Sequence, residues 1–229
     1  LAVPAPGRWI RRDSLLVYLW PDRDAGRARS ALRGALHGVR RALGGVLRVR
    51  GDDEVSLDPG GIRTDVAEFE AIAPTDPGRA LGLYTGDLLA GFHATAGAEF
   101  EEWLTAERLR LRRLAARTAA RLAQQHEVAG DIASAVDLAR RAIQLDPFDE
   151  QAHRRLMALL DRAGDTAGAL DAFDRLTRLL GQEFQAMPAA ETIALASRLR
   201  EHRPQEPAAR IASVAVLPWY HRNVEPDGD

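Results

Sequence analysis

Between Arg8 and Arg50 the chain concentrates side chains that can bind phosphate and guanine. This segment holds eleven arginines against three acids, a formal charge of +8, in a protein whose net charge is −2. The 20 remaining arginines and 30 remaining acids leave the rest of the chain at −10. Every cationic side chain is Arg, because the chain has no Lys, and a guanidinium is a permanently charged planar fork. The asymmetry predicts a nucleic-acid-facing piece attached to an acidic, protein-facing piece.

A helical pattern over residues 25–43 would position several of these arginines. Apolar side chains recur there at steps of four and three, which is typical of one buried face of a helix. The residues of this stripe are Ala28, Leu32, Ala35, Val39 and Leu43. At about 100° per residue, a group of basic side chains falls within one third of the helix circumference, on the side away from the stripe. We call this set the arginine face, and it comprises Arg29, Arg33, His37, Arg40 and Arg41.

The arginine face has a functional and an ordinary interpretation. It fits the major groove of DNA, where Arg can bind guanine N7 and O6 while neighbouring arginines hold phosphates. A basic helix face is also typical of a solvated surface, so the neighbouring elements decide. Gly34 and Gly38 each cost about 1 kcal/mol against Ala in mid-helix. They indicate either close approach to the DNA backbone, or tight packing and sequence drift.

The neighbouring segments complete the layout of a winged helix-turn-helix. Residues 11–20 predict a short helix, Asp22 or Asp24 can cap the longer helix, and a Gly-Gly pair ends it. The run VLRVR-GDDE-VSLD then predicts a β-hairpin. Trp9 and Trp20 are predicted to be core residues. Helix, turn, longer helix and hairpin favour the DNA-binding interpretation.

Four further arginines flank the longer helix. Arg11 and Arg12 sit just ahead of the short helix, and they are predicted phosphate anchors because a helix N-terminus favours anions. Arg48 and Arg50, in the hairpin, are predicted to contact the DNA backbone. The tip at residues 52–54 is Asp-Asp-Glu, which argues against its insertion into a minor groove.

The pattern from residue 64 to residue 202 is almost wholly helical and contains a repeat. Ala129-Gly130-Asp131 recurs as Ala163-Gly164-Asp165 at an offset of 34, and 8 of the 19 residues from 129 to 147 equal their partners. An offset of 34 is the tetratricopeptide period. Positions predicted to let paired helices approach are Ala135, Ala139, Ala142, Ala169, Phe173, Leu176 and Gly181. A last helix over 188–202 is predicted to carry Pro188 in its first turn.

These residues resemble the SARP-type bacterial transcriptional activators. The runs similar to the family's OmpR-like winged helix are RRDSLLVYLWPD, ARSALRGALHGVRRALG and VSLDPGGIRTDVAEFEA. The runs similar to its bacterial transcriptional activation domain, or BTAD, are ALGLYTGDLLAGF, EFEEWLTAERLRLRRLAA and AGDIASAVDLARRAIQLDPFDEQAHRRLMALLDRAGDTAGALDAFDRL. The resemblance covers residues 5–202.

The resemblance implies a mainly α fold and a role. It implies a winged helix-turn-helix over residues 1–62 and a tetratricopeptide-like BTAD over residues 63–202. The function implied is that of a sequence-specific activator, whose recognition helix at residues 25–43 enters the major groove and presents Ser30 beside the arginine face. The partners implied are promoter DNA, often at direct repeats that a homodimer binds, and RNA polymerase, which the helical domain recruits. No cofactor is expected.

Two departures from the family pattern concern the ends of the chain. The family's winged helix begins with a small sheet and a first helix, of which only residues 1–3 could remain. A truncated DNA-binding domain is therefore expected. Residues 203–229 are predicted to hold a Pro-containing linker and then, at 211–219, the opening strand of a TolB-like domain, although HRNVEPDGD departs from the usual continuation.

Other functions have less support in the sequence. The chain has no Cys, no apolar run long enough to span a bilayer and no signal peptide, so a non-membrane, cytoplasmic protein is expected. His93 near Glu99, Glu101 and Glu102 matches no metal-ligand spacing, and no phosphate-binding loop occurs, so no enzymatic activity is predicted. The alternative is a tetratricopeptide adaptor whose winged helix is only a packing platform. An adaptor does not need the arginine face.

Overall fold

The structure, a computed structural model, describes residues 7–91 and 97–202. This part of the chain begins with a three-stranded antiparallel sheet. Its strands are β1 (Ile10–Arg11), β2 (Leu47–Arg50) and β3 (Glu54–Leu57), in the order β1-β3-β2. The hairpin is confirmed, with Val49 paired to Val55, whereas β1 was not predicted. Predictions about residues 1–3, His93, the linker and the strand at 211–219 lie outside the described residues.

Two helices pack on this sheet. They are α1 (Arg12–Leu19) and α2 (Ala25–Leu43), and a 3-10 turn (Gly44–Val46) leads from α2 into β2. The predicted bounds of α2 are confirmed, and Asp24 caps it by accepting a hydrogen bond from the backbone N–H of Arg27 at 3.0 Å. The predicted short helix is one residue shorter at each end.

The apolar side of α2 is anchored in a small core. The buried residues of this core are Leu32, Leu36, Leu47, Val55 and Leu57. Trp20 packs against them, as predicted. The predicted stripe was partly wrong, because Leu36 is buried while Ala35 and Leu43 are exposed. Contacts with both α1 and the sheet rotate the buried face of α2 toward Leu36.

Seven helices follow in the described residues, which are mainly helical, as predicted. They are α3 (Asp65–Ile72), α4 (Pro77–Leu83), α5 (Ala98–Val128), α6 (Ile132–Leu145), α7 (Glu150–Arg162), α8 (Thr166–Phe184) and α9 (Ala190–His202). We call α3 to α9 the helical array. None of the helices in the described residues is long and apolar enough to cross a membrane.

The 34-residue repeat is confirmed as two matching helix pairs, α5–α6 and α7–α8. Gly130 and Gly164 occupy the left-handed region, with φ of +82° and +84°, and end the first helix of each pair. Asp131 and Asp165 then cap the second helix, by accepting from the backbone N–H of Ser134 at 3.1 Å and of Gly168 at 2.8 Å. The same turn chemistry therefore recurs at both sites.

Small side chains let the paired helices approach, as the spacing predicts. Residues with at most 2 % exposure at these contacts are Ala135, Ala139, Ala142, Ala169 and Leu176. Gly181 was wrongly included, because it is exposed and an added Cβ would meet no atom within 4 Å. Pro188 was also misplaced, because α9 begins two residues later. Instead, the Glu150 carboxylate accepts the Ala189 backbone N–H at 2.8 Å and so anchors the start of α9.

Arginines of α5 hold the loop at residues 84–91, which contains most of the YTGDLLAGF run. Arg112 pairs with Asp87, which lowers the pKa of that carboxyl chiefly through the hydrogen bond. Arg108 donates to the backbone oxygens of Leu88 and Leu89, at 2.8 and 3.0 Å. Leu89 has a φ of +52°, a backbone conformation that residues other than Gly rarely adopt. The two hydrogen bonds from Arg108 stabilise this conformation.

We call the sheet with α1 and α2 the sheet unit. It meets the helical array where α1 contacts α5. An open apolar groove of about 410 Å³ lies along this junction, between the inner side of α2 and the start of α5. Val39 and Leu43 of α2 line it opposite Phe100 and Trp103. The residues of the arginine face do not line this groove.

His153 gives the array a pH-dependent stability. Its Nε2 lies 3.0 Å from the Pro147 carbonyl oxygen and must donate, while its Nδ1 is buried and has no hydrogen-bond partner in the described part of the chain. Burial lowers the pKa of His153 below its ordinary value. The unfolded chain therefore takes up the proton first as pH falls below about 6.5, and the free energy of unfolding falls.

We expect urea unfolding to show this pH dependence. The midpoint should fall between pH 7 and pH 5 more in the wild type than in His153→Gln, whose side chain can still donate to Pro147 but does not titrate. Equal decreases in the two proteins would contradict this role for His153.

Candidate nucleic-acid interface

All the residues of the arginine face, and Ser30 beside it, are exposed on the outer side of α2. Arg33 donates to the Ser30 hydroxyl at 2.9 Å. Among the described residues, no carboxylate lies within 4.0 Å of the guanidinium groups of Arg29, Arg40 or Arg41. Their charge is therefore not neutralised within the described part of the chain, in contrast to Arg27 on the same helix, which pairs with Asp24 at 3.2 Å.

The two glycines of α2 are not packing sites in the described structure. Gly34 and Gly38 are exposed, and an added Cβ would meet no atom within 4 Å at either position. Tight packing within the described chain therefore does not explain them. They leave a low, smooth strip of backbone beside Arg33, His37 and Arg41, which a nucleic-acid backbone could approach closely.

A polar cleft of about 240 Å³ brings arginines of both helices together. Arg12 of α1 faces Arg29 and Arg33 of α2 there, and the wing-tip residues Asp52 and Asp53 line the same cleft. No ion pair within 4.0 Å joins these five side chains in the described structure. Asp13 also lines the cleft, which therefore holds three guanidinium groups of the predicted interface close to three carboxylates.

Arg11 and Arg12, the predicted phosphate anchors, do not both lie ahead of α1, as the sequence had predicted. Arg12 is the first residue of α1, with its backbone N–H donating to the Asp53 carbonyl at 2.7 Å and its Nε buried with no hydrogen-bond partner among the described residues. Arg11 belongs to β1, is exposed and is the residue before the first turn of α1. Of the two, only Arg12 lines the cleft with Arg29.

The hairpin arginines already contact an aromatic ring and carboxylates of the sheet and its flanking residues. Arg48 and Arg50 lie over the ring of Trp9, with guanidinium carbons 5.6 and 4.8 Å from its centroid. Arg50 donates through Nε to Glu54 at 2.6 Å, and Arg48 lies 3.8 Å from Asp58. The prediction that Trp9 is a core residue was wrong, because its ring is covered by arginines and not by the apolar core.

Sequence reasoning did not find the cleft. Two of its acidic members, Asp52 and Asp53, are conspicuous in the sequence as the tip of the hairpin. Their position beside α1 depends on β1 pairing with β3, since that pairing places the start of α1 next to the tip. The described residues contain no group of three His, Asp or Glu side chains arranged to hold a metal ion.

Comparisons with known proteins agree with this fold. The model of the bacterial transcriptional activator domain family matches residues 64–200. The structure of EmbR from Mycobacterium tuberculosis, solved in complex with a low-affinity phosphopeptide, is similar with a TM-score of 0.63 and 17 % identity. The similarity covers 87 % of this chain and 56 % of the EmbR chain, so this chain spans little more than half of that protein.

No curated protein sequence matches the chain. At 17 % identity the likeness to EmbR shows the fold alone, whereas the family match spans more than half of the chain and contains the whole repeat. That match confirms the predicted activator family, which is a family of non-enzymatic domains. The chain belongs to the bacterial transcriptional activator domain family.

Proposed function

We propose that this protein is a sequence-specific transcriptional activator that places α2 in the major groove of promoter DNA. The observation that carries the proposal is the arginine face. It is exposed and, within the described residues, lacks carboxylate partners at Arg29, Arg40 and Arg41, on a helix whose apolar side is fixed in a core. A helix held in this way can present side chains to base edges without reordering.

In this proposal each arginine of the interface has a role. Arg33 and Arg40 point toward the groove and contact base edges, while Arg29 and Arg41 hold phosphates on either side. Arg12 adds a phosphate contact from the start of α1. The hairpin arginines contribute less, because binding DNA must compete with Glu54, Asp58 and the Trp9 ring.

The helical array supplies the contacts with other proteins. In this proposal residues 1–62 bind DNA, residues 63–202 mediate self-association on direct repeats and recruit RNA polymerase, and residues 203–229 begin a further unit. The protein acts in the cytoplasm as a homodimer on DNA. A pure adaptor is disfavoured, because an adaptor has no use for an exposed arginine face that, among the described residues, lacks carboxylate partners at Arg29, Arg40 and Arg41.

The proposal is tested by footprinting and transcription. DNase I footprinting of the region upstream of the protein's own gene should show protected direct repeats, and purified RNA polymerase should transcribe from that promoter more often when the protein is present. Protection with no effect on transcription would retain DNA binding and reject activation. No protection at any concentration up to micromolar would reject the DNA-binding role.

The acidic tip of the hairpin, which is the wing of the fold, should lower the affinity for DNA. Asp52 and Asp53 place two negative charges in the cleft beside Arg12, Arg29 and Arg33. Changing both to Asn should strengthen DNA binding by about threefold to tenfold at low salt, with the gain fading as salt screens the charges.

The matched control is Asp137→Asn with Asp171→Asn, which removes the same charge from exposed positions of the array. That control should leave DNA affinity nearly unchanged. An equal gain in both double variants would show that only net charge matters, and no gain in the wing variant would contradict the proximity of the tip to the bound phosphates.

A further inference from the structure

A cluster of large apolar side chains is exposed at one end of the helical array. Phe148, Phe184 and Met187 are 42, 60 and 69 % exposed. The two phenyl rings pack edge to face, with centroids 4.9 Å apart. We call these three residues the aromatic patch. Contiguous exposed aromatic side chains mark interaction sites in proteins, because leaving them in water has a free-energy cost.

The backbone beneath the aromatic patch is held firmly. The Pro147 carbonyl, next to Phe148, accepts from His153, and Asp149 caps α7 by accepting two backbone N–H groups. Beyond Phe184, the Ala186 backbone N–H donates to Leu180 at 3.2 Å and closes the end of α8. These hydrogen bonds preorganise the aromatic side chains, so a partner would not have to order them on binding.

The segments that carry the aromatic patch contain several acids, of which Asp146 lies 3.9 Å from Arg113 and Glu150 lies 4.0 Å from Arg154. Residues 144–152 and 179–191 together contain five acids and no Arg, Lys or His. The acids are Asp146, Asp149, Glu150, Glu183 and Glu191. Glu183 and Glu191 are exposed, and neither has an ion-pair partner among the described residues. An apolar centre with an acidic surround complements a partner segment with apolar anchors and flanking Lys or Arg.

We propose that the aromatic patch docks a basic segment with apolar anchor residues on RNA polymerase. This inference rests on the proposed function and assigns a surface to its recruitment step. The partner's anchor side chains cover the Phe148–Phe184 pair, and its cations face Glu183 and Glu191. The arginine face lies on the separate sheet unit, so the protein can hold DNA and polymerase at the same time.

The test compares binding of purified RNA polymerase holoenzyme to immobilised protein by interferometry. Phe148→Ala with Phe184→Ala should raise the Kd at least tenfold, because loss of central aromatic anchors dominates such interfaces. Glu183→Lys with Glu191→Lys should also weaken binding, and more at low salt than at high salt. The control Val128→Ala removes an 84 % exposed side chain from the other end of the array and should change nothing.

The outcomes separate the inference from the proposed function. If wild-type protein binds polymerase and the aromatic variant binds equally well, the docking surface is overturned and recruitment stands. If wild-type protein does not bind polymerase, recruitment fails and the inference fails with it. If the aromatic variant changes the oligomeric state in light scattering, the patch is covered by a second copy and the inference is overturned. Circular dichroism and unchanged DNA affinity establish that the variants are folded.

Discussion

Replacing Arg33 and Arg40 with Ala should weaken specific DNA binding by about 2–6 kcal/mol in total, because a good base contact contributes about 1–3 kcal/mol of discrimination. Both side chains lie on the exposed side of α2, whose opposite side is buried in the core of the sheet unit. The loss should be largest for the promoter and smaller for scrambled DNA, because the variants remove base contacts. Fluorescence anisotropy with labelled duplexes measures both affinities.

A matched control removes two arginines from the array. Arg117 and Arg178 are exposed, and their replacement by Ala changes the net charge by the same amount. This control should lose much less affinity than the double variant of α2. If the two double variants lose the same affinity, net charge alone governs binding and the assignment of α2 as the recognition helix is wrong.

Truncating Leu176 to Ala should lower the free energy of unfolding of the array by about 2–5 kcal/mol, because the change leaves a cavity in a close-packed core. Leu176 is fully buried in α8, on the side that packs against α7. Urea unfolding followed by circular dichroism measures the change.

Leu109→Ala provides the comparison, since the same atoms are removed from a side chain that is 45 % exposed on α5. Its effect should stay within about 0.5 kcal/mol. A cost for Leu176→Ala as small as that for Leu109→Ala would show that the repeat does not form a packed core at this position.

Local signals explain which parts of the fold could be predicted. The bounds of α2 follow from an Asp cap, a periodic apolar side and a terminal Gly pair, all within the helix or next to it. The repeat was found because each Gly-Asp turn combines a left-handed Gly with a capping Asp, which forces the same residues into both copies. Such features act over a few residues and leave a direct trace in the sequence.

Long-range pairing explains what was missed. The two-residue strand β1 exists only because β3 pairs with it, and so many residues separate the two strands that no local pattern reveals it. The same pairing covers the Trp9 ring with hairpin arginines and brings the acidic tip to the start of α1. The helical wheel identified the exposed arginines correctly, but only tertiary contacts could select Leu36 over Ala35 as the buried residue.

The role of α2 as a recognition helix is tested most directly by the affinity of the protein for the promoter upstream of its own gene. Anisotropy titrations with that duplex and with a scrambled duplex, at about 50 and 200 mM salt, separate sequence preference from charge attraction. We predict tighter binding to the promoter at both salt concentrations, and a steep loss of affinity for both duplexes at the higher one. Equal affinity for the two duplexes, or no binding to either, would contradict the account of α2 as a recognition helix.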